Sequence, residues 1–295
     1  MITGQIPQPY PDRIEMPPTS AVFPVANARC TVIDNRRVNE RYRHLVMDAP
    51  ATVCDAKAGQ FVHLLCPPVG ADEPFLRRPM SVYRTDPARG RIEFLYNVVG
   101  SGTRSLAALK AGDTVMALGP LGSGFTIPSG ARTVMVVARG VGFATLAPLV
   151  PLAALLGLRI GALLSSRSPE DFMRSEFEQG EAPEIHAVFD SDGSSDVSRV
   201  EALLRGLFVR ARPDAVFTCG SNRLLVLLQR LCAEFDIPGE VALEQQMACA
   251  LGVCLCCVRS LRSRDGSIEH RRVCCEGPVF DLQAVVPAAG GGHAR

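Results

Sequence analysis

The feature that most constrains this chain is a group of closely spaced cysteines near its C-terminal end. Cys249, Cys254 and Cys257 are separated by four and two residues, and Cys274 follows after sixteen more. Three close thiolates and one distant thiolate match the ligand spacing of a plant-type 2Fe-2S cluster, around which the first three cysteines wrap a loop. Gly252 lies in that loop and allows the backbone to approach a cluster closely. The pattern therefore predicts an iron-sulfur site.

Two neighbouring cysteines leave the ligand assignment open at this stage. Cys256 adjoins Cys257, and Cys275 adjoins Cys274, so spacing alone does not choose between them. Zinc is the alternative metal, because four thiolates also form a tetrahedral site, although zinc ribbons prefer two C-x2-C pairs. The cysteines outside the pattern are interpreted as small buried side chains. These are Cys30, Cys54, Cys66, Cys219, Cys232, Cys256 and Cys275.

Composition limits the compartment and the class of partner. Six of the 11 cysteines fall within the last 47 residues, and the N-terminal segment contains acids and prolines but no apolar signal-peptide core. We therefore expect thiols that bind a metal in a reducing, cytoplasmic compartment rather than a secreted disulfide framework. The formal net charge of +1 gives no indication of a nucleic-acid partner or an anionic membrane surface.

One uncharged stretch, residues 140–158, is long enough to raise the alternative of a membrane span. It opens with a Gly-x-Gly turn directly after a β-type run, and it contains Pro148 and Pro151. These features favour a loop that enters a buried helix, so we predict no membrane span.

The rhythm of the sequence predicts a multidomain β plus α/β architecture for the 295 residues. Short apolar runs at 28–33, 60–66, 80–83, 91–98 and 114–118 are separated by turns and indicate an antiparallel β-barrel. Strands then alternate with helices, including one helix near 143–157 and one starting at Ser168, which indicates a parallel-sheet α/β domain. The predicted units are a flexible arm (1–24), the barrel (25–128), the α/β domain (129–238), a small cluster domain (239–285) and a flexible tail (286–295).

A glycine turn follows the first strand of the predicted α/β domain. Gly140-Val141-Gly142 comes directly after the run at 133–138, where glycines would let the backbone approach a pyrophosphate beside a helix N-terminus. A single Gly-x-Gly is weak evidence by itself. Nucleotides do, however, bind such sheets at the carboxyl ends of their strands.

Four further segments, together with the cysteine pattern, resemble one known family. Residues 28–285 are similar to the electron-transfer subunit of dihydroorotate dehydrogenase, a branch of the ferredoxin-reductase superfamily. The resemblance implies FAD on the barrel, a nicotinamide nucleotide on the α/β domain and a C-terminal 2Fe-2S cluster. The segments are Arg78-Pro79-Met80-Ser81, Leu95-Tyr96-Asn97, Gly102-Thr103 and Gly119-Pro120-Leu121-Gly122.

For the flavin, the resemblance implies that Arg78 pairs with the FAD pyrophosphate and that Ser81 lies near the isoalloxazine N5. A guanidinium binds phosphate bidentately, and a hydroxyl can hydrogen-bond a ring nitrogen without blocking hydride approach. Gly102 and Thr103 correspond to a second phosphate contact. The remaining residues implied in FAD binding are Pro79, Met80, Leu95, Tyr96 and Asn97.

For the nicotinamide nucleotide, the resemblance implies binding by Gly140, Gly142, Thr145 and Gly220. Cys219-Gly220-Ser221 resembles the family's Cys-Gly-Pro turn beside the nicotinamide, so Cys219 joins Ser81 as a predicted catalytic residue. The family has three successive glycines and then Ala-Pro, where this chain has Ala138-Arg139-Gly140 and Ala144-Thr145. Ser165-Ser166-Arg167 leaves the choice between NADH and NADPH open.

The segment Arg272-Val273-Cys274 resembles the family's exit from the cluster and selects Cys274 as the fourth ligand beside Cys249, Cys254 and Cys257. The resemblance implies an oxidoreductase subunit that passes electrons between NAD(P)(H), FAD, a 2Fe-2S cluster and an FMN-containing catalytic partner in a hetero-oligomer. Two alternatives remain. One is a diaphorase subunit of a hydrogenase, sulfite reductase or ferredoxin-NADP transhydrogenase complex, and the other is a redox-responsive binding protein without nicotinamide activity.

Overall fold

The computed structural model describes residues 25–173 and 184–288. The predicted arm at 1–24 and most of the predicted tail lie outside the described residues. The first part of the chain forms a seven-stranded antiparallel sheet in the order β4-β3-β7-β1-β2-β6-β5. Its strands are β1 (Ala26–Arg37), β2 (Tyr42–Asp48), β3 (Phe61–Leu64), β4 (Arg78–Ser81), β5 (Arg84–Asp86), β6 (Arg91–Asn97) and β7 (Thr114–Leu121). Helices α1 (Ala51–Cys54) and α2 (Ser101–Ala108) accompany them.

This sheet is the predicted barrel, and alternating burial explains why it closes around a core. In β1, Cys30 and Val32 are buried while their neighbours are more exposed, which is the period of a strand with one face inward. The sequence prediction missed β2 because its charged residues break the pattern. His44 is nevertheless 4% exposed, and its ring pairs with Glu93 on β6 at 2.8 Å.

The second part forms a sheet of six strands in the order β10-β9-β8-β11-β12-β15. The strands are parallel except for the edge strand β15 (Val279–Asp281), which comes from the cysteine-rich end. The chain runs from β8 outward to β10 and then returns to β11 on the other side of β8, so the strand order reverses between β8 and β11. Its parallel strands are β8 (Thr133–Arg139), β9 (Arg159–Ser166), β10 (Glu184–Phe189), β11 (Ala215–Cys219) and β12 (Gly239–Ala242). Its helices are α3 (Gly142–Leu146), α4 (Leu149–Leu155), α5 (Val197–Arg210) and α6 (Asn222–Glu234).

The uncharged stretch at 140–158 is not one helix, as the sequence prediction had it, but two short helices. α3 ends at Leu146 and α4 begins at Leu149, with Pro148 at the junction, where a proline lacks the N–H that a continuous helix needs. Among the described residues, no helix is long and apolar enough to cross a membrane. Where a helix was predicted from Ser168, the described residues contain a 3-10 turn at Pro169–Asp171. Residues 174–183 lie outside the described part.

The cysteine-rich end is tied to both sheets. It contains the hairpin β13 (Val258–Arg262) and β14 (Ile268–Arg272), then α7 (Val273–Glu276) and β15 (Val279–Asp281), which pairs with β12. The backbone N–H of Ser123 donates to the Gly277 carbonyl at 2.6 Å, and a Cβ on Gly122 would lie 2.5 Å from that oxygen. Gly122, with a φ of +76°, therefore permits the cluster region to dock on the barrel. The predicted domain boundaries stay a prediction.

Candidate functional site

The glycine turn after β8 and the Cys219–Gly220 turn after β11 pack directly on each other at the point where the strand order reverses. A Cβ on Gly142 would lie 2.7 Å from the Cys219 carbonyl oxygen, and a Cβ on Gly220 would lie 2.4 Å from the Arg139 carbonyl oxygen. Gly220 also has a φ of +96°. Gly142, predicted to admit a pyrophosphate, and Gly220, predicted in the turn beside the nicotinamide, thus serve first to let two backbone turns approach each other.

This packing brings together three residues that the sequence analysis placed in two different sites. Thr145 in α3 donates a hydrogen bond to the Ser81 hydroxyl at the end of β4 over 2.8 Å. Cys219, at the end of β11, is near enough for the Thr145 hydroxyl to oppose part of the rise that burial causes in the pKa of its thiol. Ser81, Thr145 and Cys219 therefore form one cluster in which the barrel meets the α/β sheet.

A fourth group, Glu244, extends this cluster. Its Oε1 lies 4.0 Å from Cys219 Sγ, a distance at which the thiol donates. Glu244 as a whole is exposed to solvent. The protein around its carboxyl group nevertheless raises the pKa of that group above its usual value. Burial also raises the pKa of Cys219 well above the ordinary thiol value, so Cys219 is a neutral thiol rather than a nucleophilic thiolate.

On the β9 and β10 side of the switch point, Arg139 spans the ends of three parallel strands. Its guanidinium binds both carboxylate oxygens of Asp190, at 3.0 and 2.6 Å, and the hydroxyl of Ser165 at 2.9 Å. Ser195 donates to the same carboxylate. The hydrogen bonds from Arg139 lower the pKa of Asp190 to about 2, so this carboxylate is charged at physiological pH.

On the barrel, Arg78 lies across the first turn of α2. A Cβ on Gly102 would lie 2.6 Å from Arg78 Nε, so a glycine is needed for the guanidinium to reach the helix N-terminus. Positive charge beside unpaired helical N–H groups forms a cradle that fits the phosphates of a dinucleotide. The hydroxyl of Thr103 instead accepts from the backbone N–H groups of Val99 and Gly100, at 2.9 and 3.0 Å, and so caps its own helix.

The other predicted flavin residues divide between two faces. Met80 and Tyr96 are buried inside the barrel, where the Tyr96 hydroxyl donates to Asn35 at 3.0 Å. Leu95 faces the α/β side, in the same hydrophobic cluster as Phe143 and Ala144. Pro79 and Asn97 are half-buried. Their contacts with a flavin stay a prediction.

Backbone hydrogen bonds link the four predicted cluster ligands in two pairs. The backbone N–H of Cys254 donates to Cys249 Sγ, and the backbone N–H of Cys274 donates to Cys257 Sγ, each over 3.4 Å. Burial opposes ionisation, but backbone N–H donors at Leu251 and Cys254, each 3.4 Å from Sγ, lower the pKa of Cys249 to about 6. Thiolates that accept backbone hydrogen bonds suit iron ligation.

In residues 25–173 and 184–288, no three Cys, His, Asp or Glu side chains are arranged around a single metal position. The extra thiols lie close by: Cys275 Sγ is 3.5 Å from Cys274 Sγ, and Cys256 Sγ is 3.8 Å from the Gln246 carbonyl.

Glu244 and Asp190 were missed as site residues because neither belongs to the glycine turns, the flavin segments or the cysteine pattern. Glu244 comes two residues after β12, and Asp190 directly follows β10. A carboxylate just beyond the carboxyl end of a buried parallel strand is the signal that could have identified both, because those ends line the crevice of such a sheet.

The contact between the two turns generates a stability prediction. Gly220→Ala forces an alanine to a φ of +96° against the Arg139 carbonyl, so we expect it to lower the free energy of unfolding by about 3 kcal/mol. Gly206→Ala, in the open face of α5, is the matched control and should raise it by about 0.5–1 kcal/mol. Denaturant unfolding of both variants checks this, and a neutral Gly220→Ala would contradict the packing described.

A family model for the iron-sulfur cluster binding domain of dihydroorotate dehydrogenase B matches residues 244–286. Two relatives named dihydroorotate dehydrogenase B (NAD(+)), electron transfer subunit, come from Desulforamulus reducens and Enterococcus faecalis. The first is 35% identical over 82% of this chain and 92% of its own. The second is 30% identical over 87% of this chain and 97% of its own.

A solved structure of an NADH-dependent reduced ferredoxin-NADP oxidoreductase, described in work on flavin-based electron bifurcation, is similar with a TM-score of 0.73. It is 26% identical and covers 89% of this chain and 91% of its own. The ferredoxin reductase in carbazole 1,9a-dioxygenase shares the fold at a TM-score of 0.61 and 19% identity, over 74% of this chain and 68% of its own. The resemblance drawn from the sequence is confirmed: the chain belongs to the family of electron transfer subunits of dihydroorotate dehydrogenase B.

Proposed function

We propose that this chain is the electron-transfer subunit of a dihydroorotate dehydrogenase. In this proposal it passes electrons between a nicotinamide nucleotide, FAD, a 2Fe-2S cluster and an FMN-containing catalytic partner in the cytoplasm. The observation that carries the proposal is the cluster of Ser81, Thr145 and Cys219, in which a barrel residue meets the end of a parallel strand at the switch point. FAD, when bound, supplies the junction between two-electron hydride transfer and one-electron transfer to a cluster.

The residues of the chain have positioning roles in this proposal. Arg78 and the N-terminus of α2 hold the FAD phosphates, and Gly102 keeps the guanidinium in place. Ser81 presents a hydroxyl to the flavin ring, while the uncharged thiol of Cys219 lies beside the nicotinamide. The neutral thiol suits a hydride path, because an ionised sulfur would compete as a nucleophile and would carry charge into the cleft.

The cluster residues complete the route. Cys257 and Cys274 are each 2% exposed and belong to the same hydrophobic cluster as Phe61 and Leu121 of the barrel, so packed protein joins them to the flavin side. The loop of Cys249 and Cys254 reaches the surface instead. Leu251, Val253 and Leu255 there are 53%, 81% and 50% exposed, which supports the loop as the place where the partner subunit docks.

A second candidate keeps the same carriers but another partner. The 91% coverage of the ferredoxin-NADP oxidoreductase chain favours a transhydrogenase-type complex as that alternative. Co-expression with the catalytic subunit of dihydroorotate dehydrogenase, followed by purification and gel filtration, tests the choice. A stable complex that oxidises dihydroorotate supports the proposal, and its absence with both subunits folded contradicts it.

The adjacent cysteines offer a matched test of the cluster ligands. We expect Cys274→Ser to lose most of the iron and sulfide after anaerobic reconstitution, because Cys274 is buried and its backbone N–H donates to Cys257 Sγ. Cys275→Ser should keep both, since the resemblance selects Cys274 and not the exposed Cys275 as the fourth ligand. Iron and acid-labile sulfide analysis gives the outcome. Equal loss in both variants would contradict the assignment, and zinc in place of sulfide-linked iron would contradict the 2Fe-2S type.

The flavin cradle predicts a selective effect of Gly102→Ala. The new methyl group would displace the Arg78 guanidinium, so we expect the Kd for FAD to rise by about tenfold, the size of one charge-assisted hydrogen bond. Fluorescence quenching on titrating the apoprotein with FAD measures this. Gly206→Ala is the control and should bind FAD as the wild type does. Unchanged affinity for FAD in Gly102→Ala would contradict the assignment of Arg78 to the phosphate site.

The Arg139–Asp190 pair predicts how the choice between NADH and NADPH is made. In Asp190→Asn the guanidinium of Arg139 loses its counter-charge, which favours an additional 2′-phosphate at the end of β9, where Arg167 is exposed. We expect the ratio of the Kd for NADPH to the Kd for NADH to fall about tenfold. Asp192→Asn, two residues away and without an Arg139 contact, is the control. An unchanged ratio in Asp190→Asn would contradict this role.

A further inference from the structure

Thr145 is a residue that the family pattern does not supply, since that pattern has proline after the alanine of the glycine turn. It is 3% exposed, and a buried hydroxyl is costly unless it has hydrogen-bond partners. Its partner lies on the barrel, where Ser81 Oγ accepts the hydrogen bond at 2.8 Å. A proline at this position could not make this contact.

We propose that Thr145 is a positioning residue that sets the direction of the Ser81 hydroxyl proton. The inference rests on the proposed function, in which Ser81 faces the flavin. It assigns to Thr145 a role different from the nucleotide binding expected from the sequence, because the hydroxyl is already engaged by Ser81 within the protein.

The Ser81–Thr145 pair can hydrogen-bond in two directions, because each hydroxyl can both donate and accept. A serine hydroxyl has one proton to donate and two lone pairs to accept with. When Thr145 donates to Ser81 Oγ, the proton of Ser81 is left for an acceptor in the cleft. When both hydroxyls rotate, Ser81 donates to Thr145 and can accept from a donor in the cleft. The pair can therefore match a flavin ring nitrogen in either its unprotonated or its protonated form.

The test uses the full-length protein loaded with FAD and mixed rapidly with NADH under anaerobic conditions. Thr145→Val keeps the branched shape and removes the hydroxyl, and Thr145→Ser keeps the hydroxyl. We expect Thr145→Val to slow the limiting rate of flavin reduction about tenfold, to shift the absorption spectrum of the oxidised flavin and to leave the Kd for NADH within about twofold. Thr145→Ser should restore both the rate and the spectrum.

Two further variants separate positioning from packing. Ser81→Ala should slow reduction by itself, and Ser81→Ala combined with Thr145→Val should be no slower than Ser81→Ala, because Thr145 acts through Ser81. Thr133→Val, at the opposite end of β8, is the matched control for the substitution and should reduce at the wild-type rate.

An unchanged rate and spectrum in Thr145→Val would overturn the inference. So would a Thr145→Ser variant that is reduced as slowly as Thr145→Val. The inference would also fail if the double variant were slowed by the product of the two single effects of Ser81→Ala and Thr145→Val. These results are distinct from failure of the proposed function, which would appear as a wild-type protein that binds no flavin or is not reduced by NADH and would overturn the inference with it.

Discussion

The contact between the turn after β8 and the turn after β11 is the constraint on which the rest of the site depends. Gly142 lies against the Cys219 carbonyl and Gly220 lies against the Arg139 carbonyl, at distances that admit no side chain. Because the turns meet so closely, α3 starts at a fixed place and directs Thr145 toward both Ser81 and Cys219. The barrel is held against the same surface by Tyr42 and Tyr83, which pack in one hydrophobic cluster with Phe143.

The chemistry of the cleft follows from its burial and charge. Cys219 is a neutral thiol, the charges of Arg139 and Asp190 compensate each other, and the groups nearest the centre are hydroxyls. Apart from the Glu244 carboxyl, whose pKa is raised by burial, no base or nucleophile is assembled there among the described residues. Such a site suits hydride transfer between two bound cofactors, where the protein orients the reacting groups and excludes water.

The sequence predicts best what depends on spacing along the chain. The cysteine pattern, the glycine turns and the alternation of strands indicated the architecture, because local backbone requirements leave a trace at fixed intervals. The break between α3 and α4 was missed although Pro148 stands in the run, because a proline is also accepted in the first turn of a helix. Glu244 and Asp190 could not be assigned either, because each gains its role from a strand end that approaches others only in the folded sheet. The hydrogen bond between Thr145 and Ser81 likewise forms only where the barrel meets the α/β sheet.

The central claim is that one chain carries electrons from a nicotinamide nucleotide through FAD to a 2Fe-2S cluster. An anaerobic titration of the reconstituted protein with NADH, followed by visible absorption and by electron paramagnetic resonance, tests it most directly. The account predicts bleaching of the flavin together with a rhombic signal of a reduced 2Fe-2S cluster. A protein that holds flavin and cluster but is reduced by neither NADH nor NADPH, or one that contains no iron, would contradict it.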